Sequence, residues 1–181
     1  KIVRLLNQKN ISAVGISGAE NSLLQCKQLS PELQRVGQVT KVNVNWLETL
    51  CSTSAIPVIA PLGVSVDGEV YNINADFAAA QIAIALKVDE LIYLTDQKGI
   101  WDPNKNIIAH QSTSDLQNLI DTGVVQGGML AKTQTIVAAL NSGIGCVRIL
   151  HAEDAVAGYQ NTSLGTLCTQ GMKKESQHVA L

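Results

Sequence analysis

Charge is sparse in this chain, and aromatic residues are sparser. Of 181 residues, 15% are Asp, Glu, Lys or Arg and 3% are Phe, Trp or Tyr. The charged residues are scattered without runs, and the net charge is −2. A protein that grips nucleic acid needs a basic stripe to displace counterions and aromatic faces on which bases stack. Neither is present, so no nucleic-acid partner is expected. No apolar run nears the roughly 20 residues that cross a bilayer, so no membrane partner is expected either. Only four cysteines occur, Cys26, Cys51, Cys146 and Cys168. None stand at short metal-ligand spacing and no histidine clusters with them, which argues against a zinc site and a disulfide framework. Cys51, Cys146 and Cys168 lie in apolar runs and are expected in the core. The cysteine pattern fits a reducing, cytoplasmic compartment.

What is present is apolar sequence, 46% of the chain, over a length that allows one good-sized core. Residues 1–8 are amphipathic from the start and read as the second half of a helix, so the chain is expected to be the later part of a longer protein. Residues 11–16 read as a buried strand that Ser17-Gly18 ends. Residues 22–29 and 33–42 read as irregular strands around Ser30-Pro31. Asn45, with Glu48 three positions on, fits a capping box for a helix over 46–51. Residues 56–62 form a short apolar strand whose two prolines must fall where no ladder bond is made. Asp67-Gly68, between alternating residues, is the strongest hairpin signal of the chain. It leads directly to Asn72 and then to an Ala-rich, almost chargeless helix over 77–87.

Beyond that helix, residues 91–95 read as a buried strand and 96–104 as a long turn. A helix from Ser112-Thr113-Ser114-Asp115 stops at Gly123. A further helix spans 129–141, a buried strand 145–150, a short helix 152–159 and a last strand 163–169. Residues 172–181 are a polar tail expected to fray. Strands alternating with helices predict an α/β fold, a three-layer α/β/α sandwich with a mainly parallel central sheet. Ligands of open α/β sheets sit beyond the carboxyl ends of the strands. Those ends carry Ser17-Gly18, Thr95-Asp96 and His151.

Three polar segments stand out against this background. Asn72, Asn74 and Asp76 place two amides and a carboxylate at a helix mouth, where free N–H groups and the positive end of the helix dipole already collect. Asn and Asp are also preferred caps, so a plain cap accounts for them too. Thr95-Asp96-Gln97-Lys98-Gly99-Ile100 is a polar loop after a buried strand, with Asp96 and Gly99 also readable as simple turn residues. Gly127-Gly128-Met129-Leu130-Ala131-Lys132 opens a helix. Lys132, one turn in, is either a placed cation or a solvated surface lysine.

Taken together, these segments resemble the amino-acid kinase family and, within it, the branch that acts on N-acetylglutamate. The resemblance is carried by Asn72-Ile73-Asn74-Ala75-Asp76 with its Ala-rich helix and by Leu94-Thr95-Asp96-Gln97-Lys98-Gly99-Ile100. Gly123-Val124-Val125-Gln126-Gly127-Gly128-Met129 with Lys132, and the late Gly165-Thr166, match as well. It implies that residues 1–171 are the C-terminal two-thirds of such a domain, holding the nucleotide-binding half and part of the substrate half. The hairpin would lie next to the active site. The implied reaction moves the γ-phosphoryl group of ATP to the side-chain carboxylate of N-acetyl-L-glutamate, an early step of arginine biosynthesis. Mg2+ would be carried by the nucleotide, with no metal ligand on the protein. A homodimer or higher homo-oligomer is implied. The alternatives are a related kinase acting on an aminoadipate derivative, aspartate or glutamate, and a nucleotide-binding relic that no longer catalyses.

A carboxylate acceptor is already ionised near pH ~7, so the chemistry needs no general base. It needs positioning, and positive charge to offset the repulsion of two anions. The resemblance gives Lys132 that charge and casts Asp76 as an organiser of lysines. Asn72 would hydrogen-bond the α-carboxylate and amide region of acetylglutamate, with Asn74 assisting. Thr95, Asp96, Gln97, Lys98, Gly99, Ile100 and Trp101 match the nucleotide loop. Val124, Val125 and Gln126 match a segment on the adenine side, and Gly128 and Met129 complete the nucleotide set. All three polar segments are expected to converge on one anion-filled cleft. The family's Lys-x-Gly-Gly turn, its second glycine turn and its substrate-binding Arg have no counterpart here, so this chain alone is expected to be weak or inactive. Trp101 is bulkier than is usual in the family and would narrow the nucleotide mouth.

Overall fold

A computed structural model describes residues 1–160 and 164–171. The tail at 172–181 and the start of the last expected strand at Ser163 lie outside the described residues. The chain divides into two compact units, Lys1–Leu86 and Lys87–Leu181.

The first unit runs α1 (Ile2–Gln8), β1 (Ala13–Ser17), β2 (Leu24–Gln28), β3 (Gly37–Val42), α2 (Val44–Ser52), β4 (Ile56–Ala60), β5 (Leu62–Val64), β6 (Val70–Asn72) and α3 (Ala75–Leu86). β1 and β4 pair in parallel, from Ala13 opposite Ile56 to Ser17 opposite Ala60. The Ile56 N–H bonds the Ser12 carbonyl at 2.9 Å, which turns the nitrogen of Pro57 away from β1 and lets a proline sit in the strand. The other sheet has the order β3-β2-β5-β6. β5 and β6 are the two arms of the expected hairpin, Leu62 facing Asn72. Its tip is a five-residue loop around Asp67-Gly68, closed by the Ser65 N–H on the Glu69 carbonyl at 2.9 Å. The core gathers Leu23, Leu24, Cys26, Leu47, Ile73 and Ala78, with Ile16, Val39, Ile59, Ile82 and Leu86 packed against it. Burying these side chains contributes about 1.5–3 kcal/mol for each large one.

The second unit runs β7 (Glu90–Thr95), β8 (His110–Ser112), α4 (Thr113–Asp121), α5 (Gly127–Asn141), β9 (Cys146–His151), α6 (Ala155–Gln160) and β10 (Thr166–Thr169). Its sheet has the order β7-β9-β10-β8. β7 and β9 are parallel in full register, Glu90 opposite Cys146 through Thr95 opposite His151. β10 runs antiparallel to β9 and parallel to β8. β9 is buried along Val147–Leu150, Arg148 included, as a strand covered on both faces must be. The terminal nitrogens of Arg148 are bonded inside, to Glu90 of β7 at 2.5 Å and to the Gly158 carbonyl of α6 at 2.6 Å, while its buried Nε has no hydrogen-bond partner among the described residues. α4 starts where the sequence places it, at Ser112, on a capping box with Asp115. The Ser112 hydroxyl accepts from the Asp115 N–H at 3.1 Å, and the Asp115 carboxylate accepts from the Ser112 N–H at 2.9 Å. The Ser112 hydroxyl also donates to the Asp115 carboxylate at 2.5 Å, and that bond, with the one from the Ser112 N–H, holds the Asp115 carboxyl below its ordinary range.

Alternating elements thus give the α/β class that the sequence implies, with parallel pairs β1–β4, β2–β5, β7–β9 and β8–β10 and antiparallel pairs β2–β3, β5–β6 and β9–β10. Three local expectations change. The cap of α2 is Asn43, whose side chain accepts from the Trp46 N–H at 3.4 Å, and not Asn45. Asn43 is fixed there by tertiary bonds, its N–H to the Leu23 carbonyl at 2.9 Å and its side-chain amide to the Asn21 carbonyl at 3.1 Å. Cys51 is exposed, being in the last turn of α2, while Cys26 is buried among the core leucines. The three-residue strand β8 is an addition, made by pairing with β10.

Three outcomes follow from these placements. Asn43→Ala should cost about 1 kcal/mol of stability by loss of a cap, and Asn45→Ala close to nothing, as read by chemical denaturation. A thiol reagent on the native protein should label Cys51 and leave Cys168, whose thiol burial pushes up to about 12. That raised value stabilises the fold in full below about the ordinary 9.0 and is lost as pH climbs toward 12. Cys168→Ala should flatten the decline of thermal stability in that window.

Candidate active site

In the first unit the Asn-rich segment is pinned from its middle. Ile73 is 2% exposed and belongs to the core, while Asn72 and Asn74 on either side are exposed. The Asn72 N–H bonds the Arg35 carbonyl at 2.7 Å and the Ile73 N–H bonds the Pro61 carbonyl at 2.9 Å. An apolar anchor flanked by backbone bonds therefore presents two amides from a fixed base. Asn74 is also the cap of α3. Its Oδ1 accepts from the N–H groups of Asp76 at 3.0 Å and Phe77 at 3.2 Å. Its side-chain oxygen is spent on the helix, so the plain cap reading holds for that atom. Asp76 is the second residue of α3, half-buried, in the turn where the helix dipole favours an anion.

In the second unit Thr95 closes β7 and starts the polar loop. Its hydroxyl donates to the Asp96 carboxylate at 3.1 Å and accepts from the Gln97 N–H at 3.4 Å. Asp96, Gln97 and Lys98 are exposed, whereas Gly99 and Ile100 are buried. From there the expected long turn is a small hairpin. The Ile108 N–H bonds the Ile100 carbonyl at 2.9 Å, Trp101 pairs with Ile107, and the Asp102 N–H bonds the Asn106 carbonyl at 2.8 Å. The Asp102 carboxylate accepts from the Asn106 N–H at 2.8 Å, which draws that carboxyl below its ordinary range. Trp101 itself is 39% exposed.

Lys132 is the sixth residue of α5, in the second turn rather than the first. It is buried, 8% exposed, and its Nζ stands 4.5 Å from the centroid of the Tyr93 ring. The surface-lysine reading fails here. A buried ammonium over an aromatic face is held by the ring quadrupole, a cation–π contact worth about 0.5–2 kcal/mol. The Tyr93 hydroxyl reaches the Thr135 hydroxyl at 3.5 Å, which in turn donates to the Lys132 carbonyl at 2.6 Å. β7 thus delivers the Thr95 loop and, two residues earlier, the ring under Lys132. Ahead of the helix, Gln126 occupies the cap position with its side chain turned back to the Gly123 carbonyl at 3.0 Å. Val124 is exposed, but Val125 is 5% exposed and lies in the core. Gly128 and Met129 form the first turn of α5, and a Cβ added at Gly128 would meet nothing within 4 Å.

The sequence reading missed Tyr93 and left Thr166 without a part. Tyr93 carries a signal in hindsight, as the one aromatic residue of β7. Among the described residues no three of His, Cys, Asp and Glu gather as a metal-holding group, and no helix is long and apolar enough to cross a membrane.

The pattern of the amino acid kinase family matches residues 1–151. An acetylglutamate kinase of Bacillus cereus strain ZK / E33L is 39% identical over 172 residues, 95% of this chain and 67% of that protein. An acetylglutamate kinase of Bacillus thuringiensis strain Al Hakam is 38% identical with the same coverage. Among solved structures, smu.665 from Streptococcus mutans UA159 superposes with a TM-score of 0.82 at 29% identity, over 93% of this chain and 65% of that one. A carbamate kinase from Giardia lamblia bound to AMP-PNP gives a TM-score of 0.71 at 16% identity, over 94% and 66%, and shows the fold alone. The chain belongs to the amino acid kinase family. It spans about two thirds of the length of the relatives it matches.

The Tyr93 contact is measurable by itself. The ε-methylene protons of Lys132 should show an upfield ring-current shift that Tyr93→Phe retains and Tyr93→Leu abolishes. Equal shifts in the two variants would remove the contact.

Proposed function

We propose that this chain carries the nucleotide-binding half and part of the acceptor-binding half of an acetylglutamate kinase. It moves the γ-phosphoryl group of ATP to the side-chain carboxylate of N-acetyl-L-glutamate, making an acyl phosphate for arginine biosynthesis. The observation that carries the reading is the similarity to acetylglutamate kinases, 39% identity along 95% of the chain. The buried cation on α5 supports it from geometry.

The residues divide the work by their surroundings. The acceptor carboxylate attacks as an anion, so a base is not needed and charge compensation is. Lys132 provides a cation whose position is set by packing rather than by solvent. It stabilises charge on the phosphoryl oxygens as the bond to the acceptor forms and the bond to the leaving phosphate breaks. Asp76 orders lysine side chains and takes no proton. Asn72 hydrogen-bonds the α-carboxylate and amide region of the acceptor, and Asn74 adds what its cap leaves over. Thr95 to Trp101 hold the nucleotide, with Val124 to Gln126 on the adenine side.

The start of α5 fits phosphate. Gly127 and Gly128 leave open space around the first turn, and no side chain caps the helix, so N–H groups and dipole remain for an anion. Mg2+, brought in by the nucleotide, supplies further positive charge to the phosphates. The reading carries with it a homo-oligomer and a cytoplasmic setting.

Acyl phosphate trapped as a hydroxamate tests the assignment in the full-length protein. Lys132→Met should lower kcat on the order of a hundredfold or more, the loss expected for one oxyanion donor. N-acetyl-L-glutamate should outrun aspartate, glutamate and N-acetylaminoadipate as acceptor. Faster turnover of any of those three would reassign the substrate, and full activity of Lys132→Met would reassign the site.

A further inference from the structure

Thr166, the first residue of β10, is completely buried, and its hydroxyl makes two bonds to the backbone of the loop after β7. Its Oγ1 accepts from the Ile100 N–H at 2.9 Å and donates to the Ile108 carbonyl at 2.7 Å. The Ile108 N–H returns to the Ile100 carbonyl at 2.9 Å. One hydroxyl thereby closes both ends of the Ile100–Ile108 excursion into a ring of three hydrogen bonds. The Leu167 N–H, bonded to the Ala109 carbonyl at 2.9 Å, then carries the pairing onward into β8.

Two glycines make room for this contact. Gly99 has φ +153, and a Cβ on it would stand 2.7 Å from the Thr166 hydroxyl. Gly165 has φ +77, and a Cβ on it would collide with the Ile149 carbonyl of β9. A side chain at either position would push the loop off β10, or β10 off β9. These facts join two motifs that the sequence holds far apart, Thr95–Ile100 and Gly165-Thr166.

We propose that Thr166 is a positioning residue for the nucleotide. Its hydroxyl latches the far end of the nucleotide loop onto β10, as Thr95 fixes the near end on β7. The proposal rests on the reading of residues 95–101 as the nucleotide loop. A loop held at both ends is ordered before the ligand arrives, so binding energy is not spent on ordering it. Lys132 stands on α5 over the Tyr93 ring, outside the segment that the Thr166 hydroxyl bonds, so the latch acts on nucleotide affinity more than on the phosphoryl-transfer step.

Thr166→Val keeps the shape and removes both bonds, leaving the buried Ile100 N–H and the half-buried Ile108 carbonyl without this partner. In the full-length protein it should raise the nucleotide Kd and the KM for ATP by about tenfold or more, with kcat changed less than about threefold. Thr166→Ser, which keeps the hydroxyl, should restore most of the affinity. Amide exchange at Ile100 should be slow in the parent and serine proteins and fast in the valine protein. Should the valine variant fail to fold, Thr166→Cys, a weak donor and acceptor of similar size, takes its place in the same comparison.

Equal nucleotide affinity in the parent and valine proteins would overturn the latch and leave the kinase reading standing. So would a loss confined to kcat, or a serine variant as weak as the valine one. A parent protein that binds no nucleotide overturns both, and that outcome differs visibly from the first.

Discussion

The constraint on which the site depends is a positive charge with little water around it. Lys132 is 8% exposed. Taking an ammonium out of solvent is costly unless the surroundings replace hydration with fixed partners. Tyr93 is one such partner, and its position follows from the parallel register of β7, the end strand of its sheet, with β9. The long methylene stem of lysine packs as a hydrophobe, which lets a charged residue sit among Thr133, Thr135 and Ile136 on the buried face of α5. A cation arranged this way does not reorganise when a second anion approaches. That property, more than its charge alone, is what the proposed phosphoryl transfer between anions asks of Lys132.

The two units hold their polar segments by different physics. In the first, hydrophobic burial does it: Ile73 anchors, and the amides beside it inherit their placement. In the second, hydrogen bonding does it: Thr95 and Thr166 tie a loop whose exposed middle has little to pack. The first device is non-directional and tolerates small shape changes. The second fails abruptly where the oxygen of Thr166 is lost, because the Ile100 N–H that it serves is buried.

Local signals were legible in the sequence, and long-range ones were not. The hairpin at Asp67-Gly68, the helix start at Ser112 and the apolar runs of β7 and β9 are written in a few adjacent residues each, and the fold class follows from their alternation. Asn43 and Asn45 are both plausible caps by type, and the choice between them was made by bonds to Leu23 and Asn21 in another part of the chain. β8 has three residues and no pattern of its own; it exists because β10 lies beside it. Cys51 sits in an apolar run, but at the end of α2, past the core that covers Leu47. At the site, the residues in named motifs stood out, yet whether Lys132 met water or a ring depended on Tyr93, which belongs to no motif. Sequence spacing cannot weigh such a contact, since it forms across a sheet and a helix distant in the chain.

The anchoring of Asn72 and Asn74 through Ile73 ties molecular recognition to thermal motion. Leu24, Leu47 and Ala78, which share a core with Ile73, touch no ligand in the reading above. Yet the amplitude with which the two amides wander is set by how tightly those side chains interlock. If these amides bind the acceptor as proposed, selectivity for it is a mechanical property of the oil beneath them.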